Sequence, residues 1–109
     1  MTKVLVEDCG TYLSKGIAGD LRAAGFDAQC ASEIMVAIRE QAPDLAIVLS
    51  VSEYSEIPDT ANIKGTALIA VLRRRNSYLE SCLRRQGIHC ILMIETIDIV
   101  RIAREILNR

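Results

Sequence analysis

This sequence predicts an α/β domain built on a parallel sheet, and three observations carry that expectation. Short apolar runs without polar alternation recur at Val4–Val6, Leu45–Leu49 and Ala67–Leu72, the pattern of strands covered on both faces. Between them lie segments of helical periodicity, opened by Ser, Thr or Asp and stopped by Gly or Pro. The chain has 109 residues, enough for one domain and little more, so residues 1–109 are read as a single unit. Five strand–helix units in that length give a three-layer sandwich with a five-stranded sheet of order 2-1-3-4-5 and right-handed crossovers.

Each element has its own warrant. Val4-Leu5-Val6 is a short β-branched strand ending at Glu7-Asp8-Cys9-Gly10. A helix follows with Thr11 as N-cap and Gly25 as stop, and Leu13, Ile17, Leu21 and Ala24 form its buried stripe. Phe26–Cys30 is the second strand. Ser32 caps a helix carrying Ile34, Met35, Ile38 and Ala42, which Pro43 ends. Leu45–Leu49 is the third strand. From Ser50 to Gly65 the chain is polar and mildly acidic with Pro58 inside, holding at most a short helix near Asp59–Lys64. The third helix of the layered pattern is therefore expected to be short or missing.

Ala67–Leu72 is read as the fourth strand. The competing reading starts a long helix there that runs through Arg75 to Gln86, but a helix apolar on every side has to be buried all round. Ser77 with Glu80 makes a capping box for a helix bearing Leu79, Cys82 and Leu83, stopped by Gly87. Cys90–Ile94 is the fifth strand, and Thr96 and Asp98 open the last helix.

Composition removes several function classes. Half the residues are apolar and a quarter charged, with a net charge of −1; that balance belongs to a folded globular chain and supplies no overall field to draw in nucleic acid. There is no Trp and a single Phe, so no stacking platform for bases is expected. The longest apolar run is too short for a bilayer, and the Met1-Thr2-Lys3 start lacks the apolar core of a signal peptide. Cys9, Cys30, Cys82 and Cys90 contain no C-x-x-C pair and read as reduced thiols in the cytoplasm. There are no internal repeats.

The opening Lys3-Val4-Leu5-Val6-Glu7-Asp8, the helix closing on Ala23-Ala24-Gly25-Phe26, Ser32-Glu33 through Pro43-Asp44-Leu45, Gln86-Gly87-Ile88 and the closing stretch from Thr96 to Leu107 stand in one order and spacing. Over nearly its whole length the chain thereby resembles the receiver domains of two-component response regulators. The resemblance implies a flavodoxin-like fold and a site at the strand ends. In that family an acid pair after strand 1 holds a divalent cation, an Asp ending strand 3 accepts the phosphoryl group, and a Thr or Ser after strand 4 and a Lys after strand 5 complete the switch. Oxygen ligands fix such a cation, which offsets phosphoryl charge during in-line attack.

Matched residue by residue, this chain departs from the family at each functional position. Asp8 and Cys9 fall on the acid pair, leaving one carboxylate with Glu7 beside it. Leu49 falls on the phosphoacceptor, with Ser50 next. Leu72 falls on the Thr/Ser position and Ile94 near the Lys. The expectation is a closed, apolar pocket without phosphotransfer, no enzyme activity, no cofactor and no metal.

Other readings of these residues stay open. Cobalamin-binding domains share the topology and carry D-x-H-x-x-G after strand 1; Asp8 to Leu13 takes that place and Ser50-Val51-Ser52 resembles their serine segment, but Gly10 stands where the ligating His belongs. Cys9 before a helix N-terminus also resembles the nucleophile of small phosphatases and sugar-phosphotransferase domains, although Lys15 replaces the Arg that such loops need. Cys9 and Cys30 end neighbouring strands and form a candidate redox pair; the alternative is two separately packed thiols. His89, beside Cys90, reads as a surface residue. Arg73-Arg74-Arg75 and Arg84-Arg85 make a local basic rim, a solvated edge or a patch for an acidic partner.

The last helix points to association. Ile99, Val100, Ile102, Ala103, Ile106 and Leu107 span roughly 160° of its wheel, more than the roughly 100° needed to face one core. Ile99, Ile102 and Ile106, with Arg84 and Arg85, are the expected interaction surface. The function expected is phosphorylation-independent protein–protein interaction in signalling, as a homodimer or with a docked protein. The alternative is a small-ligand or thiol-sensing domain using Cys9, Cys30 and the Ser50 loop.

Overall fold

The computed structural model describes residues 1–50 and 65–108; the short helix considered near Asp59–Lys64 lies outside them. In chain order the elements are β1 (Lys3–Glu7), α1 (Tyr12–Ala23), β2 (Asp27–Ala31), α2 (Ile34–Gln41), β3 (Leu45–Val48), β4 (Ala67–Leu72), α3 (Ser77–Arg85), β5 (His89–Leu92), a 3₁₀ turn (Met93–Asp98) and α4 (Ile99–Leu107). The strands form one parallel sheet of order β2-β1-β3-β4-β5, as the apolar runs predict. Ala67–Leu72 is a strand, so the long-helix alternative is set aside.

Alternation along the strands divides the core into two layers. Val4, Val6, Ile47, Ile69 and Val71 face Ile17 and Leu21 of α1 and Ile99 and Ala103 of α4. Leu5, Ala46, Val48, Leu68 and Leu72 face Ile34 and Ile38 of α2 and Leu79 and Leu83 of α3. Each fully buried Leu or Ile contributes roughly 1.5–3 kcal/mol, and the three central strands are buried almost throughout. That burial keeps the strands rigid, so the residues at their carboxyl ends are held in place.

The caps differ from expectation in informative ways. Asn76, not Ser77, caps α3: its Oδ1 accepts from the Leu79 N–H at 3.0 Å, and its own N–H donates to Glu80 Oε2 at 3.0 Å. Glu80 thus makes the reciprocal bond expected of it, one residue earlier in register. Thr11 and Glu33 hold the N-cap positions of α1 and α2 without side-chain cap bonds. At the far end of α2, Ala42 is left-handed, with φ 44°, and its N–H donates to the Ile38 carbonyl at 2.9 Å, ending the helix just before Pro43. β5 stops two residues short of Ile94. There the Glu95 carboxylate accepts from the Leu92 N–H at 2.8 Å and the Thr96 hydroxyl donates to the Met93 carbonyl at 2.7 Å, closing the 3₁₀ turn.

Candidate functional site

The sheet order reverses between β1 and β3, and in open α/β sheets the crevice at the carboxyl ends of such strands is where ligands bind. Glu7, the last residue of β1, is 8% exposed and reaches across this crevice. Its Oε1 accepts from the Leu49 N–H at 2.8 Å and the Ser50 N–H at 2.7 Å, and its Oε2 accepts from the Ser50 hydroxyl at 2.9 Å. Bonds from N–H groups to a carboxylate are charge-assisted and stronger than neutral ones. The outlet of β3 is therefore tied to β1 by one side chain.

Asp8 turns the other way. Its Oδ1 accepts from the Gly10 N–H at 2.9 Å, a local turn leading into α1 that Gly10 completes with φ 73°. Cys9 is exposed, yet its thiol pKa is raised: partial burial acts first, then the Glu7 charge and its hydrogen bond with the thiol, then Asp8, while Arg73 pulls the other way. A thiol held protonated is a poor nucleophile at neutral pH, so the phosphatase-like arrangement lacks its activating field.

Four of the six positions expected in the degenerate pocket, Asp8, Cys9, Leu49 and Ser50, do gather at this edge. Leu72 does not face it: only 3% exposed, it packs in the α2/α3 layer with Leu79. Ile94 stands 80% exposed on the 3₁₀ turn. Sequence reasoning placed Glu7 beside the site without a role. The available signal was its two-residue spacing from buried Leu5, which puts a carboxylate on a covered strand face.

The cysteines stand as free thiols. Val6 is in register with Cys30 across β1 and β2, and the Cys30 Sγ donates to the Ser14 carbonyl at 3.8 Å. Among the described residues no group of three or more His, Cys, Asp or Glu is placed to hold a metal ion.

A second region lies along β5, one of the two edge strands of the sheet among the described residues. A groove of about 460 Å³ opens between the last turns of α3 and α4, with Ile88, Cys90, Ile102 and Ile106 inside it and Arg84, Arg101 and Glu105 at its rim. Ile99 is a correction: fully buried between α4 and the sheet, it contributes to the core and offers nothing to a partner. Large apolar exposure falls instead on Ile94 and Ile97, both in the 3₁₀ turn. Arg84 and Arg75 reach the Glu80 carboxylate at 3.4 and 3.6 Å, and Arg85 is exposed.

Solved structures place this architecture among known folds. A CheY-like response-regulator receiver domain from Methanospirillum hungatei JF-1 superposes with a TM-score of 0.80 over 99% of this chain and 94% of its own, at 15% identity. The signal receiver domain of NarL from Mycobacterium tuberculosis gives 0.75 over 98% and 96%, at 16% identity. The fold is that of a receiver domain. A CpaE2 pilus assembly protein from Sinorhizobium meliloti 1021 shares this receiver fold, with a TM-score of 0.69 over 94% and 98% and 18% identity. No protein-family model matches the chain, and no curated protein matches it by sequence. Among the described residues no helix is long and apolar enough to cross a membrane.

Proposed function

We propose that this chain is a receiver-fold interaction module of a cytoplasmic signalling pathway that works without phosphorylation, as a homodimer or docked to a partner protein, with no catalysis and no cofactor. The observation that carries this reading is the Glu7 carboxylate. It binds the backbone donors at the end of β3, where the resemblance would place a phosphoacceptor and this chain has Leu49. Cys9 in place of an acid leaves a cation one carboxylate short at that position. The β5 groove, with Ile102 and Ile106 half-buried beside Arg84, is the contact surface in this reading.

Two measurements test it. Reduced protein incubated with Mg²⁺ and acetyl phosphate is expected to keep its intact mass, and beryllofluoride to leave the ¹⁵N–¹H signals of Asp8, Leu49 and Leu72 in place. Saturable shifts there would mean that a phosphoacceptor exists. For association, Ile102→Asp is expected to keep the fold and lower the oligomer mass in light scattering; an unchanged oligomer mass would remove the β5 groove from consideration.

A further inference from the structure

The bonds at Glu7 have the form of a ligand in its site. Two consecutive backbone N–H groups, those of Leu49 and Ser50, converge on a single carboxylate oxygen, and the Ser50 hydroxyl meets the other. Successive amides turned toward one point make a small anion-binding concavity. This one lies at the carboxyl ends of adjacent parallel strands, and the anion that fills it belongs to the chain itself.

We propose that Glu7 is an internal ligand, an autoinhibitory contact whose carboxylate occupies the anion site formed by Leu49 and Ser50 and excludes any external carboxylate or phosphate from the end of β3. Tethering makes the exclusion effective. Glu7 is fixed by β1 pairing on both sides, with β2 through Ala31 and with β3 through the neighbouring Val6–Ile47 pair. A group held that way acts at an effective concentration of about millimolar or higher, and an external anion has to exceed it. Glu7 is also shielded from water, which strengthens its bonds to the amides relative to those of a solvated competitor. The strand leading to the donors is held independently of Glu7 as far as Val48, which pairs with Ala70 of β4. Removing the side chain beyond Cβ is expected to leave the Leu49 and Ser50 donors without their internal anion.

This inference rests on the same reading of the β1–β3 edge as silent in phosphoryl transfer, but the two fail separately: phosphoryl uptake is read as mass, anion occupancy as amide shifts. The experiment titrates wild type and Glu7→Ala with sodium formate and then inorganic phosphate, at constant ionic strength, in ¹⁵N–¹H spectra. The variant is expected to show saturable shifts at Leu49 and Ser50 with at least one of the two anions, and the wild type none. A folded Glu7→Ala that responds to neither, or a wild type that responds, overturns the proposal. Should Glu7→Ala not fold, Glu7→Gln keeps the shape with a neutral acceptor. Amide exchange at Leu49 and Ser50 is then expected to be about tenfold faster than in wild type, with Ile47 and Ile69 unchanged; equal exchange at Leu49 and Ser50 overturns the proposal.

Discussion

At the carboxyl ends of β1 and β3 the chain satisfies its own donors, whereas along β5 it leaves one side of a strand and the groove beside it facing outward. At the first place Glu7 binds the Leu49 and Ser50 donors in the crevice at the strand ends. At the second, Ile102 and Ile106 stand half-covered between two helices, next to a strand paired on one side only. In the proposed reading the first region is silent in reaction and the second serves contact, and β4 lies between them. Substitutions at the two places should act independently, as distant sites without shared partners do.

The largest effect separates two isoleucines three positions apart on α4. Ile99→Asp puts a charge without a partner into the core, and a cost above about 4 kcal/mol is expected, a large share of the roughly 5–15 kcal/mol that keeps a domain folded. The circular dichroism of the purified variant should be that of an unfolded chain. Ile102→Asp, on the groove side of the same helix, should keep a native spectrum. If both variants fold alike, the orientation of α4 described above is wrong.

Next in size is Leu72. Leu72→Ala removes a side chain packed against α3 and should lower stability by about 2–5 kcal/mol, seen as an earlier midpoint in urea with the slope unchanged. A loss below about 0.5 kcal/mol would indicate an open cavity after β4, and the contrast between a closed and an open region would fail.

The smallest effect concerns Cys9. Its folded thiol pKa is raised, so the protonated form favours the fold. That contribution is complete below the unfolded value of about 8.5 and is lost as pH rises through the higher folded value. Although exposed, Cys9 should react with iodoacetamide at pH 8 more slowly than a cysteine in an unstructured peptide. A faster reaction would return this edge to the thiol-based reading.

Much of the fold was legible because buried parallel strands leave continuous apolar runs, and Leu45–Val48 and Ala67–Leu72 contain almost nothing else. The same property hid the end of β5. Met93 and Ile94 prolong the apolar run, and only the Glu95 carboxylate bonded to the Leu92 N–H shows where the strand stops. Periodicity gives the width of the apolar arc on α4 but not its rotation, so it does not separate Ile99, which faces the sheet, from Ile102, which lines the groove. Asn76 and Ser77 are adjacent cap-forming residues, and the backbone angles choose Asn76. A charged residue ending an apolar run reads as the first residue of a loop until its partners, more than forty positions along the chain, are known.

β1 lies inside the sheet and pairs with β2 on one side and β3 on the other, Val4 meeting Ala28 and Leu45. β1 is therefore completed only after about forty further residues have been synthesised. Ladders between such distant segments form slowly, since the entropy of closing the loop comes before the contacts that offset it. Until β3 pairs, the β3-facing edge of Val4, Leu5 and Val6 would lack its partner, and an unpaired apolar edge is the kind of surface on which chains adhere to one another. The yield of folded protein from a cell should thus depend on how quickly β3 arrives, a kinetic demand that the finished molecule no longer displays.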